Sequence, residues 1–401
     1  MTVNCYLDTQ NKTHCFGCEA CAQACAVGAI RMIVDDERFR YPAIDMAKCV
    51  NCGMCRKVCP VFDMPQRFES PVRTFGGYVK DKVVREGSTS GGLFSALADA
   101  WCDEDTIVFG AESIGLYFKH SWVRYGDGIG KFRKSKYLQS EIGNCYQEVK
   151  QFLSEGKKVL FSGTPCQIAG LKKFLGDRPI GRLLTVEVVC EGVPTPLYIQ
   201  KFANWLGKKH GGEVTEIDYR YKDGRRWDFQ VMQASLRNLT GSIFKWKQDR
   251  WFNPFWSIWL QHLISRPSCY ECPFATRERV ADITLGDLWG VHLYCPELYG
   301  RNGGASVMFC NTDKGIQVLD SAIDSLHGHD LPLETAIRYQ GPMRNHIAAN
   351  ERRGECMEDI KTMPYKSFVQ KWAKRPTLKL LAQKYLWGNR QKVWLWNLFR
   401  K

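Results

Sequence analysis

The segments Cys15–Cys25, CFGCEACAQAC, and Cys49–Pro60, CVNCGMCRKVCP, carry the same arrangement of thiols, C-x2-C-x2-C-x3-C, the second followed at once by proline. Three closely spaced thiolates cap three irons of one cubane, and the fourth, past a short helix, reaches the neighbouring cluster. The crossed spacing assigns Cys15, Cys18, Cys21 and Cys59 to one 4Fe-4S cluster, and Cys49, Cys52, Cys55 and Cys25 to a second. Four-cysteine zinc sites also use C-x2-C, but as two separated pairs rather than a triplet plus one.

Between the motifs, Ile30–Val34 and Tyr41–Ile44 read as short strands around the polar turn Asp35-Asp36-Glu37. From about Asn11 to Met64 the chain resembles a bacterial-type two-cluster ferredoxin. Ala26 stands where that family often has proline after the first motif, a position that ligates nothing.

Outward from this segment the chain is an ordinary globular sequence of 401 residues, 44% hydrophobic and 24% charged, long enough for two or three cores. Disorder and a disulfide-minimised peptide are excluded. No stretch reaches the 18 or more apolar residues of a spanning helix, and Met1 to Cys15 lacks the apolar core of a signal peptide. The expected location is therefore cytoplasmic, where 18 cysteines point to metal ligation rather than disulfides.

After Pro65 strand, glycine turn and helix units begin. Phe75–Val79 reads as a strand, and Gly87-Ser88-Thr89-Ser90-Gly91-Gly92 leads into a helix over Leu93–Trp101, whose free N–H groups suit an anionic ligand. Lys158–Ser162 is followed by Gly163-Thr164-Pro165-Cys166-Gln167 and a helix over Ile168–Leu175; Leu183–Val189 is followed by Cys190-Glu191-Gly192-Val193-Pro194 and a helix over Pro196–Leu206. A later strand, Ala281–Leu285, ends in Gly286-Asp287-Leu288-Trp289-Gly290. Ligands in open α/β sheets sit beyond the carboxyl ends of strands, and Cys166 and Cys190 fall at such ends. With the lone pair Cys269 and Cys272 they make four: ligands of a third 4Fe-4S cluster, a zinc site, or buried cysteines that pack as small hydrophobes. Cys5, Cys102, Cys145, Cys295, Cys310 and Cys356 have no partners at useful spacing and read as packing residues.

The body resembles the beta subunits of coenzyme F420 hydrogenases and dehydrogenases, to which plant hydroxymethyl chlorophyll reductases are related. The likeness rests on Ser90-Gly91-Gly92, Ser135-Lys136-Tyr137-Leu138-Gln139-Ser140, Gly163-Thr164-Pro165-Cys166-Gln167 with Gly170-Leu171, Cys190-x-Gly192, Arg266-Pro267-Ser268-Cys269 with Cys272, and Asp282–Gly290. It covers roughly Phe75 to Thr312. What it implies is a flavin, usually FAD, beside a 4Fe-4S cluster, which favours the cluster reading of Cys166, Cys190, Cys269 and Cys272. It implies flavin contacts at Ser88, Thr89, Ser90, Gly91, Gly92, Ser135, Lys136, Tyr137, Gln139, Gly163 and Thr164, with Lys136 offering positive charge to a reduced flavin.

The expected fold is α/β (mixed α+β): a two-cluster ferredoxin domain over 1–68, a flavin-binding domain over 69–150 and 151–325, a connecting segment over 326–365, and a tail over 366–401. The expected function is an iron-sulfur flavoprotein oxidoreductase. A ferredoxin or other low-potential donor feeds the clusters, and the flavin passes an electron pair to an organic substrate, with Asp287 and His292 as the nearest proton donors. Reverse flow from reduced deazaflavin, a non-catalytic electron-transfer subunit of a larger complex, and a zinc-bearing binding module are the alternatives. Tyr219–Lys222 and Trp227–Met232 read as a hairpin whose Arg220, Lys222, Arg225 and Arg226 face an acidic substrate or solvent.

The formal charge of +14 lies mostly in residues 366–401, which hold ten Lys or Arg and no Asp or Glu. Trp387, Trp394, Trp396 and Phe399 sit beside those charges. The composition suits an anionic membrane surface, on the inner face of the membrane, or a protein partner; equally it suits a helix docking its tryptophans on the body. No nucleic-acid-binding motif accompanies the charge.

Overall fold

A computed structural model describes residues 4–178, 180–224, 227–299 and 303–399. Arg225, Arg226, Arg400 and Lys401 lie outside the described residues, as do the side chains of Arg390 and Trp396. The fold is mixed α/β. Among the described residues thirteen strands form three sheets. The smallest pairs β1 (Ile30–Val34) with β2 (Arg40–Ile44) in antiparallel register, Ile30 opposite Ile44, between the two cysteine motifs.

The central sheet has eight strands: β3 (Arg73–Val79), β4 (Ile107–Ile114), β5 (Tyr117–Arg124), β6 (Val159–Gly163), β7 (Leu183–Val188), β11 (Ile283–Asp287), β12 (Ser306–Cys310) and β13 (Leu326–Asp330). Their order is β13-β3-β12-β11-β7-β6-β4-β5. The four middle strands, β4, β6, β7 and β11, are mutually parallel, and antiparallel strands flank them on both sides. Their runs of Val, Leu, Ile and Phe fit strands buried on both faces. Ile107, Phe109, Val159 and Phe161 pack on one face with the helices Cys145–Ser154 and Pro165–Leu175. Val108, Leu160, Leu184, Val186 and Ile283 pack on the other with Leu93–Trp101 and Asp313–Ala322. Parallel strands share one carboxyl-terminal edge, so Cys166, Cys190 and Asp287 end on the same side of the sheet.

The third sheet, β10-β9-β8, joins β8 (Gly212–Tyr221), β9 (Val231–Asn238) and β10 (Ile243–Gln248). The expected hairpin is real but longer: Trp227–Phe229 forms a turn of 3-10 helix, and the second strand starts at Val231. Two other expectations change. Residues 326–330 complete the edge of the central sheet instead of connecting domains, and Arg353–Thr362 packs Cys356, Met357 and Ile360 into a core. The tail divides likewise. Phe368 and Trp372, on the helix Tyr365–Trp372, are buried in that same core, whereas Leu378, Leu386, Trp387, Trp394 and Phe399 are exposed. Tyr385 and Lys384 reach back, Tyr385 packing edge-on against Phe229 and Lys384 lying over the ring of Trp251.

Candidate functional site: two adjoining thiol cavities and a cationic pocket

The first motif opens with Gly17 at φ 64°, where a Cβ would stand 3.0 Å from Arg266 Nη1; glycine is required by both conformation and space. Cys15, Cys18, Cys21 and Cys59 then line one cavity of about 440 Å³, together with Cys55 at its edge. The fourth cysteine of the second motif thus lies with the first three. On the second motif's side, Cys25 Sγ accepts from Ala29 N at 3.2 Å and Cys52 is exposed. Cys5, read as a packing residue, lines the first cavity beside Cys59, its thiol donating to Asp8 Oδ2 at 3.2 Å. Its position ten residues before the motif gave no spacing by which to find it.

A second cavity, of about 600 Å³, is lined by Cys166, Cys190, Cys269 and Cys272. Thr164 caps the helix Pro165–Leu175 and holds its hydroxyl 3.2 Å from Cys166 Sγ. Cys190 follows the neighbouring strand, and the Pro267–Glu271 turn of 3-10 helix carries Cys269. Burial pushes the thiols of Cys18 and Cys272 up to about 12, and that of Cys269 to about 11. Thiolates become favourable in such surroundings when a cationic metal centre offsets the desolvation, so both donor sets fit iron-sulfur ligation.

The cavities adjoin. Phe16, buried and edge-on to Phe274 at 5.6 Å, lines both. Gly170, on the helix that carries Cys166, lies so near the first motif that a Cβ there would stand 2.9 Å from Cys18 Cβ. Polar contacts fix the docking. Gln23 Oε1 accepts from Tyr146 N at 2.8 Å and caps the helix Cys145–Ser154, whose own N-cap residue, Asn144, supplies no side-chain bond. Glu19 accepts from Gly143 N at 3.1 Å and pairs with Arg40.

The residues expected to touch a flavin gather in two places. Around the Gly87–Gly92 turn, Thr89 Oγ1 accepts from Ser135 N at 2.7 Å, Ser90 donates to Ala305 O at 2.6 Å, and Gly91 N donates to Ser306 Oγ at 2.9 Å. Three cations converge here. Arg220 donates to Tyr137 Oη at 3.0 Å and to Asp287 Oδ2 at 2.7 Å, and its guanidinium faces Trp227 and Trp289. Lys222 donates to the carbonyls of Arg85 and Ser90, and Arg85 to Gly304 O at 2.8 Å. Arg220 Nη2 and Arg85 Nε, both buried, have no hydrogen-bond partner among the described residues. Burial, reinforced by Arg85, pulls Lys222 down to about 7. A buried side-chain cluster with positive charge to spare suits an anionic group.

Gln139 and Thr164 instead line the second thiol cavity. Gln139 Nε2 donates to Phe16 O at 2.6 Å, tying the ferredoxin segment to the body. The stretch 135–140 therefore runs from the cationic pocket, through Tyr137, to the thiol cavity. Lys136 has a different place from the one expected: its ammonium is held by the carbonyls of Phe132, Arg133 and Lys134, at 3.0 Å from the first and 3.1 Å from the last, and closes a loop. Gly163 abuts Gln167, whose amide bonds Ser140 at 3.2 Å; Ser140 in turn meets His120 Nδ1 at 2.9 Å. Burial lowers His120 to about 4, so it stays neutral, Nε2 donating to Ser162 O at 2.9 Å. Asp287 is anchored by Arg220, while His292 packs against Tyr299 at 5.8 Å.

Residues 156–330 match the family model for the carboxyl-terminal part of the coenzyme F420 hydrogenase/dehydrogenase beta subunit, and residues 14–62 match a 4Fe-4S dicluster domain. A polyferredoxin-like protein of Methanocaldococcus jannaschii is 40% identical over 58 residues, 12% of this chain and 34% of that protein; the chain thus spans about a third of this relative's length. A chain of the F420-reducing [NiFe] hydrogenase complex from Methanosarcina barkeri aligns over 76% of this chain and 93% of its own, with 17% identity and a TM-score of 0.43. No helix among the described residues is long and apolar enough to cross a membrane.

Proposed function

We propose that this chain, which joins a 4Fe-4S dicluster domain to the carboxyl-terminal domain of the coenzyme F420 hydrogenase/dehydrogenase beta-subunit family, is an iron-sulfur flavoprotein oxidoreductase with an internal electron wire. The observation that carries this reading is the shared wall: Phe16 separates the cavity of Cys15, Cys18, Cys21 and Cys59 from that of Cys166, Cys190, Cys269 and Cys272. The first four and the set Cys49, Cys52, Cys55 and Cys25 hold the two ferredoxin clusters; the last four hold a third. Domain 1–68 is the entry for electrons, and the body over 69–325 takes them up.

FAD fits the cationic pocket. It would supply exchange between single electrons and an electron pair. Arg85, Arg220 and Lys222 would bind its phosphates beside the Gly87–Gly92 turn, and residues 135–140 would orient it toward the third cluster. Asp287, paired with Arg220, acts as an anchor that fixes the guanidinium. His292 remains the proton-donor candidate at that strand end. A low-potential donor such as ferredoxin is the proposed source of electrons and an organic molecule their destination; oxidation of reduced deazaflavin is the same route reversed. The proposed location is the cytoplasm, with the exposed, basic and tryptophan-bearing residues 378–399 meeting an anionic membrane surface or a protein partner.

The test is anaerobic reduction by a photoreduced ferredoxin, followed at flavin and cluster wavelengths. Flavin bleaching is expected after cluster reduction in the wild type. In Cys269→Ser the ferredoxin clusters should still be reduced while flavin bleaching fails. Equal bleaching in both proteins overturns the wire.

A further inference from the structure

Arg266 is one of the two largest side chains in the molecule with almost no exposure, at 1%. A guanidinium is rarely buried so completely unless it is paired, and among the described residues no carboxylate hydrogen-bonds to this one. Its partners are carbonyls, an amide and sulfur. Nε donates to Cys15 O at 2.9 Å, Nη2 to Arg40 O at 2.9 Å and toward Cys15 Sγ at 3.6 Å, and Nη1 to Gln139 Oε1 at 3.2 Å. The face of Tyr41 covers it at 4.4 Å. On its other side it lines the cavity of the four body cysteines. Its main chain is tied in as well: its N–H donates to Val193 O, and its carbonyl accepts from Cys269 N, each at 2.9 Å.

We propose that Arg266 is a positioning residue shared by two iron-sulfur sites, one fixed cation that supports both the Cys15 cluster of the ferredoxin segment and the cluster held by Cys166, Cys190, Cys269 and Cys272. A cluster core with four thiolates carries about two negative charges when oxidised, and reduction adds another. A desolvated cation facing both sites lowers the cost of the added electron at each, so passing one electron from the first to the second needs no compensating ion. The rigid fork also fixes the loop that bears Cys15 against the loop that bears Cys269. Arginine suits this place because it stays charged when buried and spans several acceptors at once. The inference rests on the reading of the body cysteines as cluster ligands.

The experiment uses the full-length, cluster-loaded protein and follows each cluster by EPR-monitored redox titration. In Arg266→Gln, which loses the charge, the reduced-to-oxidised ratio at a fixed potential is expected to fall at least tenfold for the inner ferredoxin cluster and for the third cluster. For a one-electron couple that is 59 mV. The outer cluster of Cys49, Cys52, Cys55 and Cys25 serves as internal reference and should not move. Arg266→Lys keeps a cation but not the fork, and both ratios should fall by a smaller factor, about threefold, within the tenfold set for charge loss. Should Arg266→Gln fail to load either cluster, Arg266→Lys is read alone: a fall at both clusters supports the proposal and unchanged potentials overturn it. Unchanged potentials in a twelve-iron Arg266→Gln protein overturn this proposal alone, as does a shift confined to one cluster. A wild-type protein with eight irons overturns the third-cluster reading beneath it.

Discussion

Arg279→Met tests how the body holds its four-cysteine cavity. Arg279 and Glu187 are 2% and 0% exposed and form an ion pair at the wall of that cavity. Glu187 Oε1 also accepts from Thr284 Oγ1 at 2.9 Å, and Arg279 Nη1 donates to the carbonyls of Phe274 and Thr276, both at 2.9 Å. Arg279 thereby fastens the turn directly after Cys272. Removing one member of a buried pair strands the other, at a cost of about 3–5 kcal/mol. At about 2 °C per kcal/mol for a large domain, the melting temperature should fall by at least about 6 °C. The loop of Cys269 and Cys272 loses its clamp with it, so iron should fall by about four atoms per chain. Replacing both members, in Glu187→Met with Arg279→Met, removes the stranded charge and should recover most of the melting temperature, because apolar substitutes for a whole pair are often neutral. Thermal melting of the anaerobic protein with parallel iron analysis reads both effects. Arg279→Met melting within about 2 °C of the wild type, with full iron, would refute the reasoning.

Lys222, pulled down to about 7 by burial, gives the cationic pocket a pH dependence. It is charged below that value, so affinity for an anionic flavin should be highest near pH 6 and fall about tenfold toward pH 9, while Lys222→Met should bind weakly with a flat profile in flavin-release titrations. The flavin-free fold responds with the opposite sign: the unfolded chain binds the extra proton between about pH 7 and the ordinary lysine value, so stability rises across that window. Cys59→Ser should alter the EPR signal of the inner ferredoxin cluster and leave the outer one, and Cys25→Ser the reverse. Because the Cys5 thiol lies against Cys59 and is in place to substitute, the clean form of the first variant is Cys5→Ser with Cys59→Ser. Ending the chain after Thr377 retains Phe368 and Trp372 and should preserve the melting temperature while abolishing co-sedimentation with anionic phosphatidylglycerol vesicles; retained co-sedimentation would rule out residues 378–399 as the membrane-binding segment.

The two cysteine motifs and the central strands were legible because each is a local signal. Spacing alone brings Cys59 to the first three cysteines, and the apolar runs at 159–163 and 183–188 are strands buried on both faces. What sequence could not supply is long-range. Nothing in the string 326–330 marks it as an edge strand, since Leu326 is its one buried residue and its place depends on pairing with β3, about 250 positions earlier. Lys136 reads as a charge near a ligand, yet a loop closes its carbonyls around it. Nothing in the sequence marks Arg266 and Arg279 as buried, yet they are among the most deeply buried side chains of the described residues. Phe16, the wall between the cavities, is one apolar residue inside a cysteine motif until the body folds against it.

The proposed function requires three 4Fe-4S clusters and one flavin along a single route. Anaerobic purification of the full-length protein, followed by iron, acid-labile sulfide, zinc and released-flavin analysis, tests it most directly. About twelve irons, about twelve sulfides and one flavin per chain are expected, with no zinc. About eight irons with one zinc would contradict the third cluster, and the absence of flavin would contradict the mechanism built on it.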